Sequence, residues 1–168
     1  MPKIAIKPAT LAALKAQYIS ELSNVNYYLA LSLWSEKQNL CGFAGWFKKQ
    51  SGEESLHAAK IAEHLIDRGE LPEVGALPAA KIDFASLIEV AKYTQTIEGG
   101  TTEKINAAYQ TAVSEGDLPA QLFLQWYITE QVEEEAWTDE MVERVAGATC
   151  AGGLGELDRH IERYLGGE

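Results

Sequence analysis

The sequence predicts an all-α fold: a four-helix bundle with a long crossover between its second and third helices and a short fifth helix near the C-terminus. Three observations predict it. Apolar residues recur at three- and four-residue steps through four long stretches, the period of amphipathic helices. Residues 70–83, with Pro72, Gly75 and Pro78, carry no such period and divide the four stretches into two pairs. That connection is long for antiparallel neighbours, which need only a few residues, so it lets the second and third helices run parallel. Finally, each pair carries the same polar spacing. Glu54 follows Glu21 by 33 positions and Gln131 follows Glu98 by 33, with His57 and Glu134 three residues after Glu54 and Gln131.

The elements follow in order. The first helix is expected over about 10–38, capped by Thr10, with Leu11, Leu14, Tyr18, Leu22, Val25, Tyr28 and Leu29 on one face. Glu21 falls inside that series and points inward. Asn39-Leu40-Cys41-Gly42 breaks the pattern. The second helix is expected over about 43–68, closed by Gly69, with Phe43, Phe47, Glu54, His57 or Ala58, Ile61 and Leu65 inward. The third, about 84–114, carries Phe84, Leu87, Ala91, Thr94, Glu98, Thr101, Ile105, Ala108 and Ala112 on one face. Gly99 and Gly100 follow Glu98 directly and predict a loosened turn there, a π-bulge or a break. Asp117 or Leu118 caps the fourth helix, with Pro119 in its first turn. It is expected over about 118–145, with Phe123 or Leu124, Tyr127, Gln131, Glu134, Thr138 and Met141 inward. A glycine-rich turn over 147–155 precedes a fifth helix over about 156–165, too short to stand alone. It must dock, and an oligomer contact is one way to do so.

Composition narrows the function classes. The 168 residues, 46% apolar, suit one domain spanning 1–168. A formal charge of −11 argues against a nucleic-acid partner and favours cations. No apolar run approaches the roughly 20 residues that cross a bilayer, so no membrane partner is expected. The opening Met1 to Pro8 is too short and interrupted for a secretory signal. Cys41 and Cys150 are far apart and indicate neither a disulfide framework nor a thiolate metal site. A cytoplasmic location fits, with an organelle after loss of a transit peptide as the alternative.

The chemistry lies in the repeated spacing. A three-residue offset puts both members of each pair on one helical face. Glu21, Glu54 and His57 offer two carboxylates and an imidazole, a set suited to iron, manganese or zinc. Glu98 and Glu134 add two carboxylates, so that Glu54 bridges two ions, and Gln131 is a weak neutral donor. The halves are unequal, which suits a site that oxidises iron and releases it. Glu53, Glu130 and Glu133 lie on the flank, placed for a further ion. Tyr28, one heptad after Glu21, is placed to supply an electron or to hydrogen-bond a ligand. Against this stands a plainer reading, in which these are hydrogen-bonded core groups. Burying several unpaired carboxylates in one layer is costly, which disfavours it. His64 and His160 read as ordinary residues, and Trp126, Tyr127 and Trp137 as packing.

Through Glu21 to Trp34, Gly42 to Lys60, Glu98 to Asn106 and Phe123 to Glu135, the chain resembles the non-haem ferritins of prokaryotes. The resemblance implies a ferritin-like fold and a ferroxidase centre, with Glu21, Glu54 and His57 at a first iron and Glu54, Glu98 and Glu134 at a second. Gln131 would lie near the oxygen-binding position. A third iron would be held by Glu53, Glu130, Glu133 and Glu134. It further implies Fe(II) and dioxygen or peroxide as substrates, and a homo-oligomeric shell of twenty-four subunits storing a ferric mineral. Bacterioferritins repeat Glu-x-x-His and bind haem through a methionine; this chain has Gln131 and Glu134 in that place, and no haem is expected. Gln121 and Leu124 stand where animal ferritins carry the acidic pair of their iron channel. Of the acidic patch on the second helix only Glu53 remains, beside Leu56 and Ala59. The alternatives are a non-storage di-iron oxidase or peroxidase of the rubrerythrin-like class, a DNA-protecting mini-ferritin, and a bundle that binds nothing. The rubrerythrin-like class usually carries a cysteine-rich module, and no Cys-x-x-Cys occurs here.

Overall fold

Helix boundaries follow the punctuation of the sequence, with corrections where tertiary contacts outweigh local preference. The computed structural model describes residues 5–166, so Met1 to Ile4 of the opening segment lie outside the described residues. Its helices are α1 (Pro8–Lys37), α2 (Cys41–Asp67), α3 (Leu87–Ser114), α4 (Leu118–Gly147) and α5 (Ala151–Leu165).

Pro8 opens α1, where its missing N–H costs nothing. Thr10 is not the cap. It is buried one turn inside, and its N–H and Oγ1 donate to Glu115 Oε2 at 2.8 and 2.9 Å, tying the start of α1 to the end of α3. Asn39 (φ 59°), Gly69 (φ 92°) and Gly116 (φ 67°) take the left-handed conformation that closes a helical turn. Asp117 caps α4 as expected, accepting from Ala120 N at 3.1 Å. It also pairs with Arg68 at 2.9 Å, joining the end of α2 to the α3–α4 turn.

Four further expectations need correction. α3 begins at Leu87 rather than 84, because Glu89 Oε2 accepts the Ala85 N–H at 2.9 Å and sets the first turn there. Phe84 stays buried outside the helix, edge-on to Trp34. Gly99 and Gly100 produce neither bulge nor break, since α3 runs through them as continuous α-helix. Burial of Ile97, Glu98 and Thr101 around them outweighs a propensity cost of about 1 kcal/mol per glycine. α5 begins at Ala151, inside the expected turn, with Cys150 Sγ accepting from Gly153 N at 3.4 Å. Leu29, read on the inner face of α1, is instead exposed.

α1 packs along α2, and α3 along α4, with α1 against α3 between the hairpins. The buried apolar residues fall into two groups. One holds Tyr28, Leu31 and Trp34 of α1, Phe43 and Phe47 of α2, Leu87 and Val90 of α3, and Met141 of α4. The other holds Leu14 and Tyr18, Ile61 and Leu65, Ile105 and Ala112, and Leu124 and Tyr127. The early part of α2 therefore lies level with the early part of α3, so these two helices run parallel, as the crossover requires. Between the two groups sits a buried polar layer. No helix of the described residues is long and apolar enough to cross a membrane.

α5 docks on α2 and α4 of its own chain, so no second subunit is needed to hold it. Leu157, Ile161 and Leu165 are buried, and Asp158 Oδ1 accepts the Phe43 N–H at the start of α2 at 3.0 Å. Gly42 permits this approach. A Cβ there would lie 1.7 Å from the Asp158 carbonyl oxygen, whereas one at Gly45 would meet nothing within 4 Å. Gly42→Ala is therefore expected to displace α5 and cost about 2 kcal/mol, with faster proteolysis around 147–155, while Gly45→Ala leaves both unchanged. Thermal melting and limited proteolysis of the two variants check this.

Candidate metal centre

Each long helix brings one polar step to the same level. Glu21, Glu54, His57, Glu98, Gln131 and Glu134 are all buried, the first and fourth at 1% and 0% exposure. Glu21, Glu54 and His57 each offer a ligand atom, and these atoms lie within 4.8 Å of one another. His57 Nδ1 stands 3.7 Å from Glu54 Oε2 and 4.0 Å from Glu21 Oε2. Glu21 Oε2 is buried and accepts no hydrogen bond from a fixed donor, while the Glu21 and Glu54 carboxyls lie close enough to share a proton.

Glu98 and Glu134 stand in the same layer, each tethered on one side. Tyr28 OH and Glu98 Oε1 share a short hydrogen bond. Gln131 Nε2 donates to Glu98 Oε2 at 3.3 Å and to Thr102 Oγ1 at 3.1 Å. Trp137 Nε1 donates to Glu134 Oε2 at 2.5 Å. Glu98 and Glu134 fall outside the tight group formed by Glu21, Glu54 and His57.

The electrostatics follow from burial. Among the described residues, the lysines and arginines found in ion pairs join carboxylates other than Glu21, Glu54, Glu98 and Glu134: Lys49 with Glu53, Lys81 with Glu89, Arg68 with Asp117, Arg144 with Glu140 and Arg159 with Glu156. Desolvation, then the facing Glu54 carboxylate, pushes Glu21 well above the usual carboxylate range. Desolvation also raises Glu54, with the Glu98 and Glu134 charges adding to it. Glu98 is raised to about 7 by burial, against the Tyr28 and Gln131 hydrogen bonds. Glu134 is raised to about 8 by burial and by the Glu98 charge. Burial and Glu98 likewise raise the Tyr28 hydroxyl, keeping it protonated as a donor. A layer of carboxylates that prefers protons to its own charge suits divalent cations, which neutralise the same oxygens.

Glu53, Glu130 and Glu133 stand on the flank of the layer. They line a groove of about 530 Å3 between α2 and α4 that reaches His57 and Glu134. Gln50 Nε2 holds Glu53 Oε2 at 2.6 Å. His64 and His160 are elsewhere: His64 stacks on Phe123 and His160 pairs with Glu156 at 3.2 Å. Tyr127 OH donates to the His57 carbonyl at 2.7 Å, and Trp126 packs edge-on against the imidazole. Gln121 Nε2 donates to the Ala112 carbonyl at 3.1 Å and Leu124 is fully buried, so neither presents a free polar group at the surface.

Sequence reasoning missed the residues that hold the carboxylates. Gln17 Nε2 donates to Glu21 Oε1 at 2.5 Å, and Asn24 Nδ2 spans Glu54 Oε2 at 3.5 Å and Thr101 Oγ1 at 3.0 Å. Their signal was present. Gln17 and Asn24 are polar residues one turn before and after Glu21, on the face that should be apolar. Trp137, one turn after Glu134, was read as packing alone.

Comparison with known proteins bears on this geometry. Residues 11–148 match the family model described as ferritin-like domain. The chain is similar to the bacterial non-heme ferritin of Bacteroides fragilis (strain 638R), 33% identical over 140 residues, covering 83% of this chain and 88% of that one. It is similar to that of Escherichia coli O157:H7, 29% identical over 157 residues, covering 93% and 95%. Among solved structures, the open pore ferritin of the hyperthermophilic archaeon Archaeoglobus fulgidus superposes with a TM-score of 0.90 at 28% identity, covering 94% of this chain and 98% of that one. With the helical order, the repeated spacing and these near full-length likenesses in agreement, the chain belongs to the ferritin family, in its prokaryotic non-haem branch.

Proposed function

We propose that this protein is an iron-storage ferritin and a ferroxidase: it oxidises Fe(II) with dioxygen or peroxide within the polar layer and keeps the ferric product in a hollow shell of twenty-four subunits. The observation that carries this reading is the buried carboxylate layer without lysine or arginine partners, beside an imidazole and a Glu21 oxygen without a fixed donor. In this reading Fe(II) is substrate and cargo. Glu21, Glu54 and His57 take one ion. Glu54, Glu98 and Glu134 take the other, with Gln131 beside it. The second site lacks an imidazole and has only the neutral Gln131 beside it, so it is the looser of the two, which suits turnover rather than permanent retention. Glu53, Glu130 and Glu133 form the acidic exit or third site, and Tyr28 steadies Glu98 through its hydrogen bond.

Assembly has its own support. Leu29, Leu33, Leu71, Val74 and Ile82 are exposed apolar side chains on α1 and the crossover, surface that subunit contacts would bury. The rubrerythrin-like alternative is not favoured by the relatives above.

Glu54→Ala removes the residue shared by both sites. It is expected to abolish the rapid phase of Fe(II) oxidation while leaving the assembly the same size; stopped-flow absorbance with size-exclusion chromatography checks this. Rapid oxidation surviving in the assembled variant refutes the ligand assignment.

The raised carboxyls give a second prediction. A buried carboxyl whose folded pKa exceeds its unfolded value near 4.5 binds more protons folded than unfolded, so stability falls as pH rises. The fall begins near pH 4.5 and is complete once pH passes about 7 for Glu98 and about 8 for Glu134. Thermal melts of metal-free protein should therefore lose midpoint between pH 5 and 8. Saturating Zn(II), which replaces the protons, should remove most of that slope, and Glu134→Gln part of it. A flat metal-free profile contradicts the electrostatic account.

A further inference from the structure

Two grooves border the carboxylate layer, and they differ in chemistry. The α2–α4 groove is charged and acidic on balance, with Glu53, Glu130, Glu133 and Glu134 against Lys49 and Lys60. The second groove, about 210 Å3, lies between α3 and α4, where Thr102, Ile105 and Asn106 face Ile128, Gln131 and Val132. Glu135 is the single charged residue among those that line it, and it is exposed. A cation gains from the first groove. A small neutral molecule gains no charge attraction from the first, and the second admits it without displacing bound cations.

Gln131 connects this second groove to the layer. Its Nε2 lies 3.3 Å from Glu98 Oε2, 3.3 Å from the Glu98 carbonyl and 3.1 Å from Thr102 Oγ1. Its firmest contact is to Thr102 at 3.1 Å, and both contacts to Glu98, at 3.3 Å, are longer than an ordinary hydrogen bond. The other side chain that bonds the Glu98 carboxylate, among the described residues, is Tyr28, which is fully buried in the core. Gln131 is thus the described residue that both lines the groove and touches a carboxylate of the layer. Gly99 stands one turn before Thr102 on α3. It shares the α3 face of Thr102 and Asn106 by helical spacing, and nothing lies within 4 Å of where its Cβ would be. A side chain there would narrow the groove beside Gln131.

We propose that the α3–α4 groove is the entry and holding site for the neutral oxidant, dioxygen or hydrogen peroxide, with the Gln131 carboxamide as the movable wall between it and Glu98. The inference rests on the ferroxidase reading. Two Fe(II) ions each give one electron: dioxygen takes both electrons and two protons to become hydrogen peroxide, or peroxide takes them to become two water molecules. Cation and oxidant then reach the layer from different sides and do not compete for one passage.

The test uses the assembled protein and two variants that narrow the groove from opposite helices, Val132→Phe on α4 and Gly99→Leu on α3. Val132 is 69% exposed, and leucine is a better helix former than glycine, so neither change threatens folding. Leu56→Phe, in the acidic groove, is the control. Each is loaded with Fe(II) without oxygen, then mixed with increasing dioxygen. The expected result is a KM for dioxygen raised about threefold or more in both groove variants, with anaerobic Fe(II) binding unchanged and with Leu56→Phe at the wild-type KM. A wild-type KM in either groove variant, or equally slowed Fe(II) binding, overturns the proposal. Crystals of the protein under xenon pressure give a readout free of activity: xenon is expected in the groove, and its absence there overturns the proposal. Failure of the wild type to oxidise Fe(II) rapidly would instead count against the ferroxidase reading, leaving the xenon result to judge the groove.

Discussion

The cost of burying carboxylates governs this structure. Four glutamates occupy one layer between two apolar groups, and an ionised carboxylate moved from water into such surroundings costs several kcal/mol unless neutralised. Among the described residues no lysine or arginine forms an ion pair with them. Protons or divalent cations must, and that requirement links the fold to its chemistry. The helices exist to bring the charges together, and the apolar groups above and below stabilise the bundle enough to tolerate them.

The support around the layer shows how the strain is divided. Gln17 and Asn24 satisfy single oxygens of Glu21 and Glu54 while leaving others free, which keeps the carboxylates oriented without saturating them. Tyr28, Gln131 and Trp137 do the same for Glu98 and Glu134. The two halves of the repeat differ because one ends in an imidazole and the other in a carboxylate. His57 stands within reach of both Glu21 and Glu54, whereas Glu134 adds a further negative charge to Glu98.

Most of the fold was legible because it rests on periodicity. The inner faces of α2 and α3 were read residue by residue from their three- and four-residue steps, and the crossover from its prolines and glycine. The layer was legible because a charged residue on an apolar face has no bland explanation when it repeats at the same spacing. What escaped was decided by contacts between distant segments. Thr10 looked like a cap, yet Glu115, far along the chain, claims its hydroxyl. Gly99-Gly100 and the glycines of α5 looked like breaks, but packing of Ile97, Thr101, Leu157 and Ile161 holds the helix through them. Gly42 carries no local signal, since its need is set by Asp158 on a helix that only docks late in the chain. The α3–α4 groove was invisible for the same reason: it depends on how two helices face each other, not on either alone.

The most direct test of the central claim is to add Fe(II) to the assembled protein without oxygen and then mix it rapidly with oxygen, sizing the same sample before and after. If the buried layer is a paired oxidation site feeding a store, a fast phase of about two iron ions per chain should be followed by slower oxidation of many more, all within a large shell. Two ions that bind and stay, in a small oligomer that forms no mineral, would contradict the account and make the layer a resident cofactor site.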